Sequence, residues 1–285
     1  MIRTWSLVLV LCLAGAGCTV NEVIVAEESE LVVAETPVEE SRLLDIGIVE
    51  FRPGLDERND PRKTGVYEEI RLAETKYLAY HLKTTLQGTG HWGAVRVIPS
   101  REAFTDVVIS GEIERSDGEF VALKVRVEDA AGRHWFDETY EMQTGVTSYS
   151  DRRDRRLDPY QKVFNDISND LYAHANGLPP KQLQQTRQIS ELRFFADMSP
   201  LAYGEHLTND DDGIATIVRL PAENDPTVAR LRQIRERDRL VVDTLNEHYA
   251  NFYYGIAIPY RNWRKVTRQE SIAYRQVKRS ARIQT

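Results

Sequence analysis

Cys18 is the residue whose setting points most directly to chemistry. It closes an apolar leader in which Arg3 supplies the positive start, Leu7–Leu13 the compact apolar run, and Ala14-Gly15-Ala16-Gly17 the small residues a signal peptidase accepts. A run this short falls below the roughly 20 residues that span a bilayer. The expectation is removal of residues 1–17 and a thioether-linked diacylglycerol on Cys18. Ala14-Gly15-Ala16 also satisfies ordinary secretory cleavage, which would free the chain from Gly17. Cysteine arithmetic favours the lipid: Cys12 and Cys18 are the only cysteines, and Cys12 leaves with the leader. A lone exported thiol is most simply explained as lipidated. The mature fold is then expected to have no disulfide, cysteine nucleophile or thiolate metal site.

The other chemistry-bearing residues form weaker patterns. Asp210-Asp211-Asp212-Gly213 suggests a calcium loop, but the first and twelfth ligand places of an EF-hand would fall on Thr208 and Arg219, so a solvated loop is expected. The six histidines never reach zinc-ligand spacing. There is no nucleophile elbow, no glycine-rich strand-to-helix turn and no evident carboxylate pair. These patterns favour a non-catalytic protein without a cofactor or metal, with hydrolase activity only a minority alternative. Two basic clusters suit an anionic partner. One is Arg152, Arg153, Arg155 and Arg156 in a loop. The other lies on the last helix, where Arg261, Arg264, Lys265, Arg268, Arg275, Lys278, Arg279 and Arg282 face only Glu270 and are expected largely outward. For Arg268, Arg275, Lys278 and Arg279 the expected contact is an acidic partner, lipid head groups or peptidoglycan carboxylates. A net charge of −7 and export both argue against nucleic acid.

The elements that would position these groups follow from periodicity. Residues 18–42 carry seven glutamates and little periodicity, which reads as a self-repelling tether; an edge strand at Val23–Val25 or Leu31–Val33 is the alternative. Leu43–Phe51 reads as a buried strand and Glu68–Gln87 as a helix with Leu78, Leu82 and Leu86 on one face. Val95–Ile98 and Asp106–Glu114 are further strands. In Val121–Glu128 apolar and polar residues alternate strictly between Gly118 and Gly132, so a meander with His134–Met142 follows. Asp158-Pro159 is expected to cap and start a helix with Tyr160, Val163, Phe164, Ile167 and Leu171 on its apolar face. The order predicts an α+β domain over residues 43–176: a mixed sheet with an antiparallel meander and two helices on one face.

In this run, "LQGTGHW", "VRVIPS" and "DVVISGEIERSDGEFVALKVRVEDAAG" followed by the final helix resemble the amino-terminal domain of TolB. The same plan occurs in Lpo-type lipoproteins and in curli-secretion lipoproteins. The resemblance covers less than half the chain and has no catalytic signature. It implies a non-catalytic periplasmic adaptor domain.

Gly177–Pro180 reads as a boundary, with an all-helical region over residues 181–285. From Pro226 a long helix is expected, with Leu231, Ile234, Asp238, Val241, Leu245, His248 and Phe252 as its packing seam. Pro259 is expected to break it and form a helical hairpin, with Trp263, Val266, Ala273 and Val277 on one side of the second arm. The expectation for function is a lipid-anchored adaptor or activator on the periplasmic face of the outer membrane, since Thr19 replaces the Asp of an inner-membrane retention signal. Its partner would be another envelope protein or peptidoglycan. The alternative is an oligomeric structural or secretion-assembly subunit, a homo-oligomer joined through the C-terminal helices.

Overall fold

A computed structural model describes residues 29–55, 66–100, 104–145, 147–150, 157–222 and 224–283. Five strands form one mixed sheet: β1 (Ile46–Val49), β2 (Val95–Ile98), β3 (Val107–Ser116), β4 (Phe120–Asp129) and β5 (His134–Gln143), in the order β2-β1-β3-β4-β5. β1 is parallel to both neighbours, and β3, β4 and β5 form the expected antiparallel meander. Alternation in β4 works as read: Val121, Leu123, Val125 and Val127 are buried, whereas Lys124 and Arg126 are exposed.

Helices α1 (Glu68–Thr89) and α2 (Gln161–Gly177) cover the sheet's buried face. Leu78, Leu82 and Leu86 of α1 meet Val163, Phe164, Ile167 and Leu171 of α2 in one core with Ile46, Ile48, Ile109 and Leu123. The fold is α+β. It continues through α3 (Pro180–Met198), the short α4 (Pro200–Tyr203) and a hairpin of β6 (Leu207–Asn209) and β7 (Ala215–Ile217). The second half is therefore not wholly helical. Its acidic run forms the hairpin turn: Asp210 Oδ1 accepts the N–H groups of Asp212 and Ile214, and Gly213 takes φ +80°.

The largest departure from the sequence reading is α5, a single helix of 58 residues from Pro226 to Ile283 with Pro259 inside it. At 1.5 Å per residue it is about 87 Å long. No helical hairpin forms. Proline removes one backbone hydrogen bond and costs about 3 kcal/mol in a helix interior, but both sides of Pro259 are tied to the same body. Before it, Tyr253 bonds His81; after it, Tyr260 bonds Glu74. These contacts run antiparallel along α1, and Tyr260 and Leu183 belong to the same buried cluster as the sheet. The core thus crosses the Gly177–Pro180 connection.

Residues 29–42 are not a free tether, nor do they add a strand. Residues 29–39 lie along α1 and α2 and lead into a short 3-10 turn at Glu40–Arg42: Asn169 accepts the Val32 N–H and donates to the Glu30 carbonyl, Asn165 donates to the Ser29 carbonyl, and the Ala34 N–H donates to Thr89. No described helix is long and apolar enough to cross a membrane.

Candidate interaction site on the C-terminal helix

The face that α5 turns to the body mixes apolar side chains (Leu231, Phe252, Ile256, Trp263) with polar ones. Arg235, Asn246, Tyr253, Tyr260, Arg264 and Thr267 recur at helical spacing, and each forms a specific bond to the body or packs closely against it. Arg264 is the deepest. Its side chain is 0% exposed, and its two terminal nitrogens donate to Asp158 Oδ1 and Oδ2 at 2.9 and 2.8 Å. Its guanidinium lies 4.1 Å from the Tyr260 ring centre and 4.5 Å from that of Tyr160, an aromatic cage around a paired charge. Asp158 also accepts the Tyr77 hydroxyl and the Tyr160 N–H. The expected cap is therefore occupied mainly by an ion pair, and α2 starts three residues later at Gln161.

A second buried carboxylate, Glu74, accepts from Arg71 Nε at 2.8 Å, Ser116 Oγ at 2.6 Å and the Tyr260 hydroxyl at 2.6 Å. The two acids titrate in opposite directions. Burial pushes Glu74 up despite Arg71, Ser116 and Tyr260. Burial also opposes ionisation of Asp158, but Arg264 overrides it and holds that carboxyl well below the usual range. Gly118 completes the clamp. It takes φ +79°, and a Cβ built there would lie 2.3 Å from the Arg264 carbonyl oxygen. Only glycine allows the β3–β4 turn to come this close.

These contacts correct the expected outward basic face. Arg264 is buried. Arg268 donates to the Thr144 hydroxyl and carbonyl, Arg275 pairs with Glu119, and Arg261 donates to the Leu157 carbonyl. Arg275, despite its pairing, and Arg279 are exposed, as expected. The Lys278 side chain, Cys18, Arg152, Arg153, Arg155 and Arg156 lie outside the described residues. The expected apolar seam holds in part: Leu231 is buried and Ile234 and Phe252 pack against the core, but Asp238 and His248 are exposed and Val241 and Leu245 are 63% and 38% exposed. On the later turns Val266 and Val277 are 52% and 69% exposed, with Leu240, Tyr254 and Ile258 also facing outward.

Among the described residues, no group of three His, Cys, Asp or Glu side chains is placed to hold a metal ion. The fold and this clamp define an α+β protein whose long C-terminal helix is tied to the body on one side and exposes apolar and charged side chains on the other. No family model and no curated protein matches the chain. Among solved structures, a point variant of the PelC dodecamer from Paraburkholderia phytofirmans is similar at 15% identity and a TM-score of 0.29, over 51% of this chain and 96% of that one.

Proposed function

We propose that this chain is an exported lipoprotein, anchored through Cys18 on the periplasmic face of the outer membrane, which acts as a non-catalytic adaptor or activator. Its partner is another cell-envelope component, an envelope protein or peptidoglycan. The observation that carries the reading is the outer surface of α5. The helix is fixed to the body through Arg264 and Asp158, yet its last turns present Val277 at 69% exposure beside exposed Arg279. A rigid arm with apolar and cationic groups costs little conformational entropy when it docks. Mixed apolar and arginine surfaces are common at recognition sites.

The test is a photo-crosslinking residue at position 277 in the full chain, activated in cells and followed by mass spectrometry. A crosslink to a different envelope component supports the adaptor reading, and failure to crosslink to anything overturns it. Crosslinks confined to copies of this chain favour the second reading, an oligomeric structural or secretion-assembly subunit. The exposed Leu240, Val241, Leu245 and Ile258 on the earlier turns speak for that alternative. The anchor is tested separately by the intact mass of the mature protein, which must include acyl chains on Cys18.

A further inference from the structure

The extended segment 32–39 crosses the body beside His91, Trp92, Tyr172 and Asn176 and leaves a cleft of about 580 Å³. That volume is within the range of small-molecule sites. Two adjacent residues lining it carry buried polar atoms with no hydrogen-bond partner among the described residues: His91 Nε2 and Trp92 Nε1. Such atoms are rare in folded proteins and cost about 1–3 kcal/mol each when left unpaired. Their needs differ. Indole Nε1–H can only donate, so it requires an acceptor. Burial favours the neutral imidazole of His91, whose Nε2 donates or accepts according to its tautomer.

The remaining lining narrows the ligand class. His91 and Tyr172 stack on each other with ring centres 3.9 Å apart and planes 21° apart, and they line the cleft together with the largely buried Trp92. Around them stand the carboxylates of Glu35 and Glu39, the amide of Asn176 and the guanidinium of Arg42. A phosphate or carboxylate ligand would meet Glu35 and Glu39, and an ammonium would meet Arg42. A neutral polyhydroxyl compound avoids both conflicts. Each hydroxyl both donates and accepts, and the C–H faces of a sugar ring suit an aromatic wall.

We infer that the cleft beneath segment 32–39 is a saccharide-binding site, with Trp92, His91 and Tyr172 as its wall and Asn176, Glu35 and Arg42 meeting ring hydroxyls. This inference is independent of the anchor and of the role of α5. The segment and its flanks are tied to the body by bonds of Ser29 to Asn165, of Glu30 and Val32 to Asn169, of Ala34 to Thr89, of Glu40 to Arg187 and of Arg42 to Asn176, so ring hydroxyls reach the two buried nitrogens only when binding opens some of these bonds.

The test is titration of the mature protein with glucose, galactose, N-acetylglucosamine and their short oligomers, read by calorimetry and by saturation-transfer NMR. Saturable binding by at least one is expected. It should weaken at least tenfold in Asn176→Ala, an exposed position unlinked to the core, and in Trp92→Phe, which keeps a ring but removes the donor. Thermal melts establish that each variant is folded. No saturable binding by any of these sugars overturns the inference, as does binding that Asn176→Ala leaves unchanged.

Discussion

The side-chain amide of Asn246 pairs with both backbone groups of Val97: its Oδ1 accepts the Val97 N–H at 2.8 Å and its Nδ2 donates to the Val97 carbonyl at 2.9 Å. β2 is the edge of the sheet, and Asn246 supplies the pairing that a sixth strand would give. Beside it, Arg96 and Asp243 form a two-bond ion pair between the same strand and helix. Asn246→Leu preserves size but leaves two buried backbone groups unpaired, at about 1–3 kcal/mol each. The expected result is a lower melting temperature and greater aggregation on heating. A wild-type melting curve would show that the edge needs no cover.

Arg264 and Asp158 give a charge-coupled prediction. Asp158→Asn removes one partner of a fully buried pair and should cost about 3–5 kcal/mol, because the Arg264 charge stays buried. Combining it with Arg264→Met should recover part of that loss, since neither charge then remains. Chemical denaturation of the two single variants and the double variant measures the coupling. Additive losses would show that the two groups do not act as a pair.

The backbone approach at Gly118 is sterically separable from those charges. Gly118→Ala keeps every hydrogen bond donor and acceptor, but places a methyl group against the Arg264 carbonyl at a positive φ. Strained positions of this kind cost about 1–3 kcal/mol before the overlap is counted. A loss at the upper end is expected in urea unfolding, together with weaker protection of α5 amides in hydrogen exchange.

Stability should also fall on mild acidification. Burial lowers the pKa of His81, which is held by the Tyr253 hydroxyl on Nδ1 and by Gln161 Oε1 on Nε2. His91 and His174 are shifted in the same direction, also by burial. The unfolded chain therefore takes up protons first, near pH 6.5, so stability is complete above that pH and declines as pH falls through the lower folded values. Asp158, depressed in the fold, adds a second loss below about pH 4. Thermal melts across this range should show both phases, and His81→Gln should flatten the first. An unchanged slope in that variant would remove His81 from the account.

Hydrophobic periodicity made the sheet and α1 legible, because Val121 to Val127 and Leu78 to Leu86 bury apolar side chains at the spacing of their elements. The same rule misplaced part of α5. Leu231, Ile234 and Phe252 of the expected seam do face the body, but Val241 and Leu245 between them are outside, whereas Arg235, Asn246 and Arg264 are inside, so apolar spacing alone misplaces the middle of the helix. Pro259 compounded the error, since its local cost is visible in sequence and the bonds of Tyr253 and Tyr260 that offset it are not. Asp158 and Arg264 are 106 residues apart, and nothing local links them. The cleft beside Trp92 was missed for the same reason: segment 32–39 reads as a charged tether until its bonds to Asn169 and Thr89 are seen.

The final prediction concerns a fragment of residues 43–176, which its own sequence pattern suggests is self-sufficient. In the structure that fragment lacks Tyr260 and Arg264, so Glu74 loses a hydroxyl donor, Asp158 loses its counter-charge, and the core that Tyr253, Tyr260 and Trp263 cover is opened to water. It also lacks Asn246, which opens the β2 edge. Re-exposing apolar side chains costs about 25 cal/mol per Å², a loss to set against the roughly 5–15 kcal/mol that holds a domain together. The expected behaviour is near-native far-ultraviolet circular dichroism with a weakly cooperative melt, and a sharp transition restored when residues 226–283 are supplied in trans. A fragment that unfolds cooperatively at the temperature of the whole chain would show that α5 is a passenger on a finished domain rather than part of its core.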